Sequence, residues 1–200
     1  KQQITWDDSI KSLVWTEIVT EKIRKQMGLL QEIGKEDEAK LLESYIQNMQ
    51  INDISNREGH AAKVYFNALF GMDFTRSDDN VINASLNYGY SVLLSAINRE
   101  IVSCGYLTQL GIFHDNMFNQ FNLTCDLMEP FRIIIDRYVY NKNYTVFTTE
   151  EKHDLVQVMN LQFEINGAKH YLANAIKIYC HSVFAALNDR DVSLIKFYSV

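Results

Sequence analysis

Two hundred residues, 47% hydrophobic and 22% charged, make an ordinary globular chain long enough to bury one large core. The formal net charge of −6 argues against a general nucleic-acid binder, because phosphate contacts need clustered Lys and Arg, but it leaves room for a local basic groove or a metal-bridged contact. No apolar run approaches the roughly 18 residues that span a bilayer, no signal-like segment opens the chain, and Cys104, Cys125 and Cys180 lack paired or metal-finger spacing, so reduced thiols and a cytoplasmic protein are expected.

One proline and eight glycines are sparse punctuation, which suits long helices and predicts an all-α fold of about seven of them. Thr5-Trp-Asp-Asp8 is a capping signal with Thr5 or Asp7 as N-cap, and Ile10, Leu13, Val14, Ile18 and Ile23 carry helical periodicity to about Ile33. Residues 35–50 are charged on one side and apolar on the other, so they form an amphipathic helix that pairs with the first as a hairpin. A third helix opens at Asp53 or Ser55 and stops at Gly71. On it Glu58, Ala61, Ala62 and Tyr65 share a face, where small alanines and Gly59 let another helix approach a lone carboxylate closely; His60 points elsewhere and reads as a surface or core histidine. Residues 77–80 cap a long apolar helix that runs to about Gly105 and bears a polar stripe of Asn83, Asn87, Tyr90 and Ser91. A loop carrying His114 follows.

The next helix, expected over residues 119–141, buries Leu123, Leu127, Phe131, Ile134 and Tyr138 at helical spacing. It sets Asp126 and Glu129 side by side at i and i+3, edging a surface. Two such carboxylates repel unless they are exposed, one is protonated, or a cation lies between them. A solvated acidic face satisfies the spacing as well as a metal site does. Pro130 cannot donate an N–H, so a kink around Asp126 with a freed carbonyl is expected. Helices over residues 149–165 and 168–188 and a short tail complete the chain, and His153, His170 and His181 show no mutual ligand spacing.

Five segments taken together carry a family resemblance: Arg57-Glu-Gly-His-Ala-Ala-Lys-Val-Tyr-Phe66, Phe70-Gly-Met-Asp-Phe-Thr-Arg76, Leu86-Asn-Tyr-Gly-Tyr-Ser-Val-Leu93, Gly111-Ile-Phe-His114 and Asp126-Leu-Met-Glu-Pro-Phe-Arg132. In this order and with these gaps the chain resembles the CRISPR-associated integrase Cas1, which works in spacer acquisition and antiviral defence, with a flavour similar to type II members. The resemblance covers essentially the whole chain. It implies that residues 1–200 are the all-helical catalytic domain, which in the family follows a small N-terminal β domain; the first residue, Lys1 rather than Met, fits a chain starting where the helical part starts.

The same resemblance implies a divalent metal, Mg²⁺ or Mn²⁺, held by Glu58, His114 and Glu129. Asp126 stands beside them, and which of Asp126 and Glu129 ligates directly stays open. It implies metal-dependent DNA endonuclease and integrase chemistry, in which the 3′-hydroxyl of a captured fragment attacks a phosphodiester of the CRISPR repeat. Double-stranded DNA, a homodimer and a small bridging partner protein are the implied partners. Arg57, Lys63, Arg76 and Arg132 are the candidate DNA contacts, although Arg132 is also spaced to pair with Glu129 or Asp136. Two rival readings use the residues differently. A helical phosphohydrolase would take His114-Asp115 as an HD pair with His60 and Asp136, leaving Glu58 and Glu129 idle; a non-catalytic helical assembly module would leave every acid solvated.

Overall fold

The apolar periodicity that starts near Ile10 becomes α1 (Asp8–Glu32) in the computed structural model, which describes residues 2–199. Asp7 is its N-cap: the backbone there is extended, and the side chain accepts the Ile10 N–H at 3.1 Å. After Gly34 turns the chain at φ 75°, α2 (Glu36–Gln47) packs back along α1 with Ala39 and Leu42 buried. α3 (Arg57–Phe70) lies against both, burying Ala61, Tyr65 and Leu69.

The second long axis is α4 (Val81–Ser103), capped by Asn80. Against it pack α5 (Asn122–Met128), α6 (Arg132–Lys142), α7 (Thr149–Val156) and α8 (Leu172–Asp189). α1 also touches α5, α6 and α8, so the core lies between the two long helices: Trp15, Ile18 and Ile23 from one, Leu86, Leu93 and Ile97 from the other, with Phe131 and Tyr179 between. Gly89 lets α6 sit close to α4, since a Cβ there would run into the Ile135 side chain. Among the described residues no helix is long and apolar enough to cross a membrane.

The all-α expectation holds, and its two local departures have physical causes. The helix expected over 119–141 starts at Asn122 and is divided by a 3₁₀ turn at Glu129–Phe131, giving eight helices where about seven were expected. The break does not free the Asp126 carbonyl: the Glu129 N–H takes it in the tighter turn, and the Pro130 carbonyl accepts the Tyr198 hydroxyl at 2.9 Å. The second departure falls after Val156. In place of continuous helix over 149–165, a 3₁₀ turn leads into an antiparallel hairpin, β1 (Gln162–Ile165) and β2 (Ala168–Tyr171). Asn166 and Gly167 both take positive φ, 54° and 77°, as a two-residue hairpin turn demands. Phe163 and Ile165 point inward while Gln162 and Glu164 face water. The tail also closes on this hairpin, Ser199 exchanging two backbone hydrogen bonds with Glu164 at 3.1 and 2.8 Å.

Candidate metal centre

Glu58 owes its placement to the way α3 begins. Asn56 adopts φ 51°, and its side chain accepts the Gly59 N–H, while both oxygens of Asp53 take the Arg57 and Glu58 N–H groups at 2.7 and 2.9 Å. Three hydrogen bonds thus fix the first turn, which carries Glu58. Gly59 serves this cap: the atoms that a Cβ there would press on first are those of the Asn56 side-chain amide. Ala61, fully buried, is the residue that lets α3 lie on α1.

Asp126 is buried completely, and so is Glu129 apart from 3% of its surface, so the expected surface pair is an interior one. They avoid mutual repulsion by serving different partners. Asp126 Oδ2 accepts the Ile112 and Phe113 N–H groups at 2.6 and 3.1 Å, and its Oδ1 accepts the His114 N–H at 3.1 Å. The His114 ring completes the set, with Nδ1 2.6 Å from Oδ1. A carboxylate only accepts, so Nδ1 carries the hydrogen and Nε2 keeps its lone pair whenever the ring is neutral. Gly111 is required here, as a Cβ would strike the His114 carbonyl and the Asp126 carboxylate. The ring also stands edge-on to Trp15, which stacks on Phe113 at 4.4 Å. The loop itself is clamped from outside: Gln3 donates to the Leu107 and Leu110 carbonyls, and Asn122 to those of Gln109 and Asn116.

Glu58 and Glu129 meet at one nitrogen. Lys22 Nζ on α1 lies 2.6 Å from Glu58 Oε1 and 2.5 Å from Glu129 Oε2, and Arg132 Nε holds the other Glu129 oxygen at 2.9 Å. Burial alone would discharge Lys22, yet the two carboxylates outweigh it and raise the ammonium pKa. Burial likewise opposes ionisation of Glu129, but the charges of Lys22 and Arg132 hold its carboxyl well below the usual range. The His114 pKa is raised, chiefly by the hydrogen bond to Asp126, against its burial and with further contributions from the charges of Asp126, Glu129 and Glu58.

Two carboxylates converging on one cationic nitrogen offer the oxygen ligands a hard divalent cation takes, and His114 has one ring nitrogen fixed by a carboxylate. The convergence is around Lys22, and Glu58, His114 and Glu129 do not bring their ligand atoms all within 4.8 Å of one another. Among the described residues the one trio of His, Cys, Asp or Glu with ligand atoms all within 4.8 Å lies elsewhere, at Glu100, Cys104 and His181. Asp126, with four donors on its two oxygens, has no free lone pair aimed outward and is suited to orienting His114. Lys22 was not anticipated, though its signal was legible: it falls on the buried stripe Ile18, Lys22, Gln26, Leu29, where a charge needs partners.

The candidate DNA contacts separate. Arg132 is engaged with Glu129 and lies over the Tyr90 ring at 4.8 Å. Arg76 donates to Asn83 and Asn87 and lies over Phe66 and Tyr90, which explains the polar stripe of α4 as a guanidinium cradle. Arg57 lies over Tyr45, and Lys63 is exposed. The HD constellation is not assembled: Asp136 is buried between the hydroxyls of Tyr65 and Tyr90, His60 lies beside Tyr45, and His114 turns to Asp126 rather than to the exposed Asp115.

The model of the family described as CRISPR associated protein Cas1 matches residues 1–159. The chain belongs to the Cas1 family. Its sequence is 34% identical over 98% of its length to a CRISPR-associated endonuclease Cas1 of Neisseria meningitidis, of which it spans 66%. Among solved structures it is similar to a partial Cas6-RT-Cas1–Cas2 complex, with TM-score 0.80 and 16% identity over 97% of this chain and 70% of that one. It is also similar to a casposase bound to an integration product, with TM-score 0.74 and 19% identity over 94% of this chain and 68% of that one. These likenesses are of fold, and both extend over nearly all of this Cas1 chain.

Proposed function

We propose that residues 1–200 form the catalytic domain of a Cas1 integrase, a metal-dependent DNA endonuclease of CRISPR adaptation that inserts captured fragments by 3′-hydroxyl attack on the repeat. The observation that carries this reading is the shared grip of Glu58 and Glu129 on one cationic centre. Mg²⁺ or Mn²⁺ bound there would polarise the phosphoryl oxygen and lower the pKa of the attacking hydroxyl. Glu58 and Glu129 supply hard oxygen ligands and His114 Nε2 supplies the nitrogen. Asp126 sets the tautomer and holds the ring, a positioning role. Arg132 keeps Glu129 ionised and fixes one of its oxygens, leaving the other for the cation. Lys22 neutralises the two acids, and its ammonium holds the place that a divalent ion would take between them. Duplex DNA is the substrate, with Arg57, Lys63, Arg76 and Arg132 as its candidate contacts; of these Lys63 is exposed and Arg132 is paired with Glu129. A homodimer and a small bridging partner protein complete the assembly; the Cas1–Cas2 complex of one fold relative supports a partner protein, and the casposase bound to an integration product supports a DNA substrate.

The test is strand transfer into a repeat-bearing duplex by the full-length protein. Glu58→Gln and His114→Ala each abolish it without unfolding the domain, as read by circular dichroism. Because the His114 pKa is held above the ordinary 6.5, the ring gives up its Nε2 proton only as pH rises through that higher value. Strand transfer therefore falls on acidification, with its inflection moving toward lower pH as Mn²⁺ concentration is raised. Full activity in either variant rejects the assignment.

A further inference from the structure

Away from Lys22 and its carboxylates, α4 and α8 bring together three donor atoms of different chemistry. Glu100 and Cys104 stand one helical turn apart at the end of α4, and His181 faces them from α8. Cys104 Sγ lies 3.3 Å from His181 Nε2, which lies 2.9 Å from Glu100 Oε1, and the thiol-to-carboxylate distance is 3.8 Å. A tetrahedral zinc ion with bonds of roughly 2.0 to 2.3 Å keeps its ligand atoms roughly 3.2 to 3.8 Å apart. The triangle already has nearly that size without any movement of backbone. A thiolate, an imidazole and a single carboxylate form a borderline-soft set, which favours zinc over the hard ions expected at Glu58 and Glu129. The His181 side chain is 53% exposed, so the fourth position opens to water.

We propose that Glu100, Cys104 and His181 form a second metal site of this protein, one that takes Zn²⁺ and staples α4 to α8. The inference is independent of the function proposed for the Glu58 centre. On binding, the Cys104 thiol loses its proton to solvent, and His181 presents Nε2 with its hydrogen on Nδ1. Because binding releases the thiol proton, zinc affinity increases with pH. The staple sits at the root of the loop that carries His114. Gly105 follows directly, Tyr106 stacks on Phe184 of α8 at 4.1 Å, and Leu107 is held by Gln3. Zinc at this point ties both ends of that contact to one ion.

The test is a titration of the reduced full-length protein with Zn²⁺ against a chromophoric chelator, and with Co²⁺ as an optical probe. The expected result is one zinc per chain that excess Mg²⁺ does not displace, and a thiolate-to-cobalt charge-transfer band. Cys104→Ser and His181→Ala each weaken zinc binding by on the order of 100-fold or more, at or beyond the loss seen when outer-shell partners are removed. Cys125→Ser leaves it unchanged. Zinc raises the melting temperature of the wild type and not of Cys104→Ser. No stoichiometric zinc, no thiolate band, or binding that survives in both Cys104→Ser and His181→Ala overturns the site and leaves an ordinary His181–Glu100 ion pair beside a bystander thiol.

Discussion

Lys22 bridges Glu58 and Glu129, where the proposed divalent cation would lie, and this makes it the most informative single residue. Its side chain is only 10% exposed, and both of its carboxylate partners are mostly buried. Removing one member of a buried ionic cluster leaves uncompensated charge and costs roughly 3–5 kcal/mol. Lys22→Met is therefore expected to lower the melting temperature of the metal-free protein markedly. The same substitution leaves Glu58 and Glu129 facing each other without a competitor, so Mn²⁺ affinity by calorimetry strengthens on the order of tenfold, or about 1.4 kcal/mol, and Mn²⁺ restores much of the lost stability. Weakened Mn²⁺ binding in a folded Lys22→Met would mean that the ammonium assists the site rather than holding its place. The three residues named from the resemblance were visible in the sequence because their motifs are. The division of labour between Asp126 and Glu129 was not, since an i, i+3 spacing does not say which carboxylate the backbone amides of a distant loop will claim.

At the scale of elements, periodicity sufficed for α1 to α4 and most of α8, whose apolar stripes are long, and the caps of α1 and α4 are explicit in Asp7 and Asn80. It failed where a short segment obeyed another period. Gln162 to Ile165 alternates polar and apolar, and Asn166-Gly167 is a hairpin signal, but a glycine also ends helices, and the helical pattern before it ran straight on. Close packing between elements left a trace in composition. Gly89 sits where α6 brings the fully buried Ile135 against α4, with no slack for a methyl group. Gly89→Ala gains helix propensity of about 1 kcal/mol but overpacks the contact by typically 1–3 kcal/mol. The expected outcome is net destabilisation in chemical denaturation with an unchanged slope. A more stable variant would show that α4 and α6 can part without cost.

For the whole molecule, the two long helices α1 and α4 gather the proposed site from distant segments: Lys22 from α1, Glu58 from the helix laid across it, His114 from the loop after α4, and Asp126 and Glu129 from the broken helix that returns beneath. The 3₁₀ turn at Glu129–Phe131 aims Glu129 away from Asp126, so one sequence motif serves both the ligand and the residue that orients the histidine. All-α architecture was legible from composition and sparse punctuation; the convergence of these segments was legible only through family resemblance, because no local pattern encodes which loop meets which helix. The account rests on Glu58, Glu129 and His114 taking one divalent cation together. Anomalous diffraction from crystals of the protein grown with Mn²⁺ tests this most directly. A single manganese peak about 2 Å from a carboxylate oxygen of each glutamate and from His114 Nε2, with the Lys22 ammonium displaced, is the predicted result; a map with Lys22 still bridging the two glutamates and manganese absent, or bound to Asp126 instead, would contradict it.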